Sequence, residues 1–127
     1  MSTPLDIAEQ LFKAIEAGDI DAVRALYAPD IVVWHNNDGI EQPGDDNLRV
    51  LQWVIANLAD RRYEVVRRAA IEGGFVQQHV LHAVAPSGDP IAMPACMVGL
   101  VADGRITRLD EYLDSAHLAP LLAPRRS

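Results

Sequence analysis

The sequence predicts an α+β domain, from three observations. Apolar residues recur at helical spacing through the first half of the chain. From about residue 63 onward they alternate instead, in four long segments rich in valine, isoleucine and aromatic residues. Those segments are separated by short clusters of glycine, proline and aspartate, the chemistry of hairpin connections. Helices first and strands afterwards favour a curved antiparallel meander with helices packed against one face. At 127 residues the chain is expected to form one domain, 1–127, with a single hydrophobic core.

Thr3 and Pro4, followed by Asp6, make a helix start: a capping hydroxyl, a proline at the first helical position and an acid in the first turn. Leu5, Ala8, Leu11, Phe12 and Ile15 then form one apolar stripe, and Gly18 ends the helix. Asp19 caps a short second helix through Leu26, with Ile20, Val23 and Leu26 apolar. Pro29 and Asp30 break it, residues 31–35 read as a strand, and Asn36-Asn37-Asp38-Gly39 is a turn before a short strand at 40–41. Asp45 and Asp46 open a third helix to about residue 59, carrying Leu48, Leu51, Trp53, Val54, Ile55 and Leu58. Strands follow at 63–71, 75–85, 91–102 and 105–114. Residues 115–122 add a helical turn, and 123–127 are expected to be disordered.

A formal net charge of −7 argues against nucleic acid or an anionic membrane as partner, since both reward a basic patch. The arginine pairs at 61–62, 67–68 and 125–126 are too short and scattered to make one. The single cysteine, Cys96, can form no internal disulfide, which fits a reducing cytoplasm. No apolar run has signal-peptide or membrane-spanning length, so a soluble cytoplasmic protein is expected. There is no glycine-rich phosphate loop, no GxSxG elbow and no histidine pair at helical metal-ligand spacing, and neither a cofactor nor a metal is expected.

Three strands carry residues suited to chemistry. In 31–35, alternation places Ile31, Val33 and His35 on one face, so an imidazole tops an apolar wall; its ordinary pKa suits general-base work. In 105–114, Leu109, Glu111 and Leu113 share one face and Asp110, Tyr112 and Asp114 the other. Two carboxylates and a phenol together favour the second face as a pocket wall. In 75–85, Val76, Gln78, Val80 and His82 share a face opposite Gln77, His79 and Leu81. Each candidate also has a plain structural reading: His35 satisfied by neighbouring backbone, Asp114 capping the tail helix, His79 at a surface or interface.

Four strings carry a resemblance: EAGDIDAVRALYAPDIVVWHN, the acidic helix start after Pro43-Gly44, FVQQHVLH, and GRITRLDEYLD. In this order they resemble the NTF2-like superfamily, in particular its SnoaL-like branch, together with ketosteroid isomerases and limonene-epoxide hydrolases. The resemblance implies a cone-shaped (cystatin-like) fold, in which a curved, mostly antiparallel sheet wraps the three helices and leaves an open-ended cavity. It also implies a homodimer through the outer sheet face, the side on which His79 would lie. His35 falls where the isomerases carry an aspartate base and the epoxide hydrolases a water-holding asparagine. Asp114 matches the final-strand acid of the epoxide hydrolases and SnoaL-like cyclases.

With His35 and Asp114 as the acid–base pair, Tyr112, Gln78 and His82 would fix a ligand carbonyl or hydroxyl, and Trp34 and Trp53 would serve as core or pocket wall. The sequence also departs from both relatives. The Arg and Asp that epoxide hydrolases carry two residues apart on the strand matching 75–85 are missing. The isomerase tyrosine falls near Leu11 or Phe12, and its protonated aspartate near Cys96. The expected function is proton-transfer chemistry (isomerisation, cyclisation or water addition) on a hydrophobic small molecule. The alternative is a ligand-binding or dimerisation module without turnover.

Overall fold

A computed structural model describes residues 2–122. Helix α1 (Pro4–Ala17) starts as its sequence dictates. The Asp6 amide donates to Thr3 Oγ1 at 3.2 Å, and the Thr3 amide donates back to the Asp6 carboxylate at 3.1 Å, a reciprocal capping box. Gly18, in the left-handed conformation at φ 74°, ends it. Helix α2 (Ile20–Leu26) is capped by Asp19, and α3 (Gly44–Asn57) stops two residues earlier than its apolar pattern suggests, because Leu58 has turned to extended backbone.

The strands are β1 (Tyr27–His35), β2 (Glu41–Pro43), β3 (Ala59–Ile71), β4 (Gly74–Val84), β5 (Pro90–Ala102) and β6 (Arg105–Leu113), followed by a 3-10 helix at Ser115–Leu122. The expectation for 123–127 lies outside the described residues. Strands β1 and β3 each begin four residues before the expected start; in β1, a register shift between Tyr27 and Val32 accommodates Pro29 and Asp30.

The sheet order is β2-β1-β6-β5-β4-β3. Every pairing is antiparallel except one: β1 runs parallel to β6, with Val33 opposite Leu109 and His35 opposite Glu111. This parallel contact sets β1 beside the last strand within an open curved sheet whose edges are β2 and β3. The α1 stripe of Ile7, Leu11, Phe12 and Ile15 is buried against Phe75, Ile106 and Leu109 on the concave face. A second cluster, Leu58, Leu81, Ile91 and Met93, fills the far end.

Two local devices hold the helices over the sheet. Arg61 donates to the carbonyls of Ile15, Glu16, Ile55 and Leu58 at 2.6–3.2 Å, tying the C-terminal ends of α1 and α3 to the start of β3. The Ile15 carbonyl also accepts from the Gly18 amide at 3.1 Å, and a planar guanidinium with several N–H groups can reach all four helix-end carbonyls. On the sheet, Gly99 faces Phe75 across the β4–β5 ladder, and a Cβ at Gly99 would lie 2.4 Å from the phenyl ring. Only the absent side chain lets that ring lie flat on the strand beneath it.

Candidate functional site

Between the concave face and the helices lies a cavity of about 320 Å³. Leu11 and Ile15 of α1 and Leu51, Trp53 and Val54 of α3 form its helical side. Val33, Leu81, Met93, Met97 and Leu109 line the sheet side, and Tyr27, Asn47 and Tyr63 add polar atoms at the edges. Against this mostly apolar lining stand two histidines and two acids: His35, His79, Glu111 and, beside His35, Asp38.

His35 and Glu111 are brought together by the parallel β1–β6 pairing, which sets them side by side with both side chains inward. His35 Nε2 lies 3.2 Å from Glu111 Oε1, and the two side chains are only 21% and 14% exposed. The hydrogen bond to Glu111 raises the His35 pKa above its ordinary 6.5; burial opposes the rise, and the charges of Glu111 and Asp38 reinforce it. The backbone around the pair is fixed by Asn36, whose amide donates to the Glu111 carbonyl at 3.1 Å. Its side-chain oxygen accepts from the Leu113 amide at 2.8 Å. Tyr27 donates to Asn47 Oδ1 at 2.7 Å, and burial followed by the Glu111 charge raises the pKa of both Tyr27 and Tyr63. Both phenols therefore stay protonated.

His79, on β4, is 2% exposed and packs its ring edge-to-face with Phe12 and Tyr63. Its Nδ1 is 2.8 Å from Gln77 Nε2, while Gln77 Oε1 accepts from Arg68 at 2.6 Å. Burial lowers the His79 pKa below its ordinary value. Its Nε2 is buried without a hydrogen-bond partner, as is Gln42 Oε1 on the same cavity.

Other residues expected at the site lie elsewhere. Asp114 does not share the cavity with His35: its side chain is 68% exposed, and it accepts from the Ala116 amide at 2.9 Å, capping the 3-10 helix. Tyr112, Gln78 and Asp114 line an open groove on the outer face of the sheet, together with Val66, Val80 and Cys96. Trp34 packs edge-to-face on Tyr112, and His82 pairs with Glu64 at 2.8 Å, away from the cavity. Asp110 binds Arg108. His79, expected on the outer face, points inward. Of the expected residues, only His35 and Trp53 line the cavity.

The reason is a phase ambiguity. On β4 both faces read alike: Gln77, His79 and Leu81 alternate with Gln78, Val80 and His82. The outer face is itself apolar enough to pass for a core. Glu111 was missed although alternation grouped it with Leu109 and Leu113. Those two leucines were the signal, since a carboxylate flanked by large apolar residues on one strand face sits on the buried side.

The chain belongs to the SnoaL-like domain family, which matches residues 8–109. A comparison with curated protein sequences finds no match. Among solved structures, IdmH of Streptomyces antibioticus, proposed to be a polyketide cyclase, superposes with a TM-score of 0.83 at 24% identity, over 96% of this chain and all of that one. A protein of ketosteroid-isomerase-like fold from Catenulispora acidiphila, in complex with trimethylamine, gives 0.80 at 17% identity over 96% of each chain. An epoxide hydrolase of the limonene-epoxide hydrolase type from M. tuberculosis gives 0.75 at 21% identity, over 91% of this chain and 86% of that one. These likenesses establish the NTF2-like α+β cone.

Proposed function

We propose that this protein catalyses proton transfer on an apolar small molecule held in the cavity, with Glu111 and His35 as the acid–base pair. One observation carries the reading: a carboxylate and an imidazole 3.2 Å apart, mostly buried, at the wall of a mainly apolar cavity. Such a pair exchanges protons as a unit. It takes a proton from the carbon beside a ligand carbonyl while that C–H electron pair shifts toward the carbonyl oxygen. It then returns the proton to the same carbon or to a conjugated one, which leaves the pair unchanged. The excluded solvent strengthens the fields acting on the enolate. The family and the cyclase, isomerase-like and epoxide-hydrolase neighbours support an enzyme of this kind. Isomerisation or aldol-type cyclisation fits the pair better than epoxide opening, for which the Arg and Asp are missing.

The test uses 1-tetralone, an enolisable bicyclic ketone, in deuterated buffer, with NMR detection of deuterium entering the carbon beside the carbonyl. Wild-type protein should accelerate the exchange, and His35→Gln and Glu111→Gln should each lower the rate by about 100-fold or more. Binding of the ketone without accelerated exchange would indicate a binding module instead.

The outer groove supports a second part of the reading, a homodimer through the outer sheet face. Val66 and Tyr112 there are 62% and 49% exposed, and exposed apolar clusters of this kind mark contact surfaces. Sedimentation should give a dimer that Val66→Asp converts to monomer; a monomeric wild type would refute it.

A further inference from the structure

We propose that His79 is the ligand-recognition donor of the cavity: a neutral imidazole locked with its proton on Nε2 by Arg68 and Gln77, so that the site selects molecules presenting a ketone-type oxygen. The inference rests on the proposed acid–base reading for its chemistry, but its own evidence is the hydrogen-bond chain.

The lock follows from which groups can donate. Arginine only donates, so the 2.6 Å contact from Arg68 fixes Gln77 Oε1 as the acceptor and turns the amide nitrogen the other way. That nitrogen, which also only donates, faces His79 Nδ1 at 2.8 Å. Nδ1 must therefore accept, and the ring proton resides on Nε2. An imidazolium would set two donors against each other at Nδ1, so the lock also excludes the cation, in agreement with the lowering of the His79 pKa by burial.

The remaining Nε2–H is a donor without an acceptor among the described residues, on a ring almost wholly buried. A buried unpaired donor is costly, and such groups are rare unless a ligand completes them. His79 lines the cavity, as does Leu81, two residues on; His79 also borders the outer groove, on the other face of the sheet from the Phe12 and Tyr63 rings that its own ring meets. Gln77, on the Nδ1 side, does not. The free edge thus belongs to the cavity and suits an oxygen with lone pairs. A carbonyl oxygen accepts there, and the same N–H then holds the charge that develops when Glu111 and His35 take the neighbouring proton. Lock and donor thus assign distinct jobs to two histidines on one wall: His35 exchanges protons, and His79 holds the oxygen without titrating. Gln77 and Arg68 act through His79 as positioning residues.

The test needs no turnover. Nitrogen-15 NMR of the imidazole rings at neutral pH should show His79 as a single neutral tautomer protonated at Nε2, and Gln77→Met should mix the tautomers. Wild-type protein should bind 1-tetralone about tenfold more tightly than tetralin, which carries CH₂ in place of C=O. His79→Phe, which keeps a ring against Phe12 and Tyr63, should erase that preference while tetralin binding persists. Should His79→Phe not fold, the wild-type ring spectrum and the Gln77→Met preference decide the matter. An Nδ1-protonated or cationic His79, no preference in wild type, or an unaltered preference in the variants overturns the proposal. Ketone preference without proton exchange would leave it standing and remove the catalytic reading instead.

Discussion

Replacing Glu111 by Gln keeps the shape of the side chain and removes its charge, so it isolates what the carboxylate does for His35. The contact is 3.2 Å, with the partners 21% and 14% exposed. A hydrogen bond involving a charged group contributes roughly 1.5–3 kcal/mol, and in this partly open setting we expect a loss of about 2 kcal/mol when His35 is cationic. The sign with pH follows from linkage. In the folded protein the His35 pKa is raised above its ordinary 6.5, so the stabilisation is fully present below that value and disappears as pH rises through the raised one.

The stability gap between wild type and Glu111→Gln should therefore be widest near about pH 5.5 and narrower at about pH 8.5. In the variant, burial is opposed only by the Asp38 charge, and the His35 pKa falls relative to wild type. Urea unfolding at the two pH values measures the gap, and proton NMR of the His35 ring follows its titration. A wild-type His35 that titrates at or below its ordinary value, or a gap independent of pH, would refute the coupling.

Arg61→Ala removes four hydrogen bonds to helix-end carbonyls and should cost about 3 kcal/mol in urea unfolding. Arg61→Lys should recover less than half, because an ammonium cannot span the four acceptors. A loss below about 1 kcal/mol would mean water replaces the guanidinium. Gly99→Ala should destabilise by about 1–3 kcal/mol, because the new methyl meets the Phe75 ring; adding Phe75→Leu should recover part of the loss, and simple additivity of the two would sink that account. Trp53 lines the cavity and Trp34 the outer face. Tetralone should therefore quench indole fluorescence in Trp34→Phe protein and not in Trp53→Phe; the reverse pattern would place the ligand in the outer groove.

Much of the architecture is written locally. The Thr3–Asp6 capping box, the α1 stripe, the stop at Gly18 and the turns before β4 and β6 all follow from interactions a few residues apart, and these were legible directly. The alternation on β6 was legible too, with Leu109, Glu111 and Leu113 correctly grouped. What the local pattern could not fix is which of two faces turns inward, since period two is symmetric and this sheet is apolar on both sides. Nor could it reveal that β1 lies beside β6 in parallel, a contact across more than seventy residues. That pairing sets His35 against Glu111 on the cavity wall and leaves Asp114 outside as a helix cap. The chain's own pattern determined the elements, the α+β class and the family. Long-range strand pairing decided the site, because a side chain's chemistry depends on the neighbours and the solvent that only the assembled sheet assigns to it.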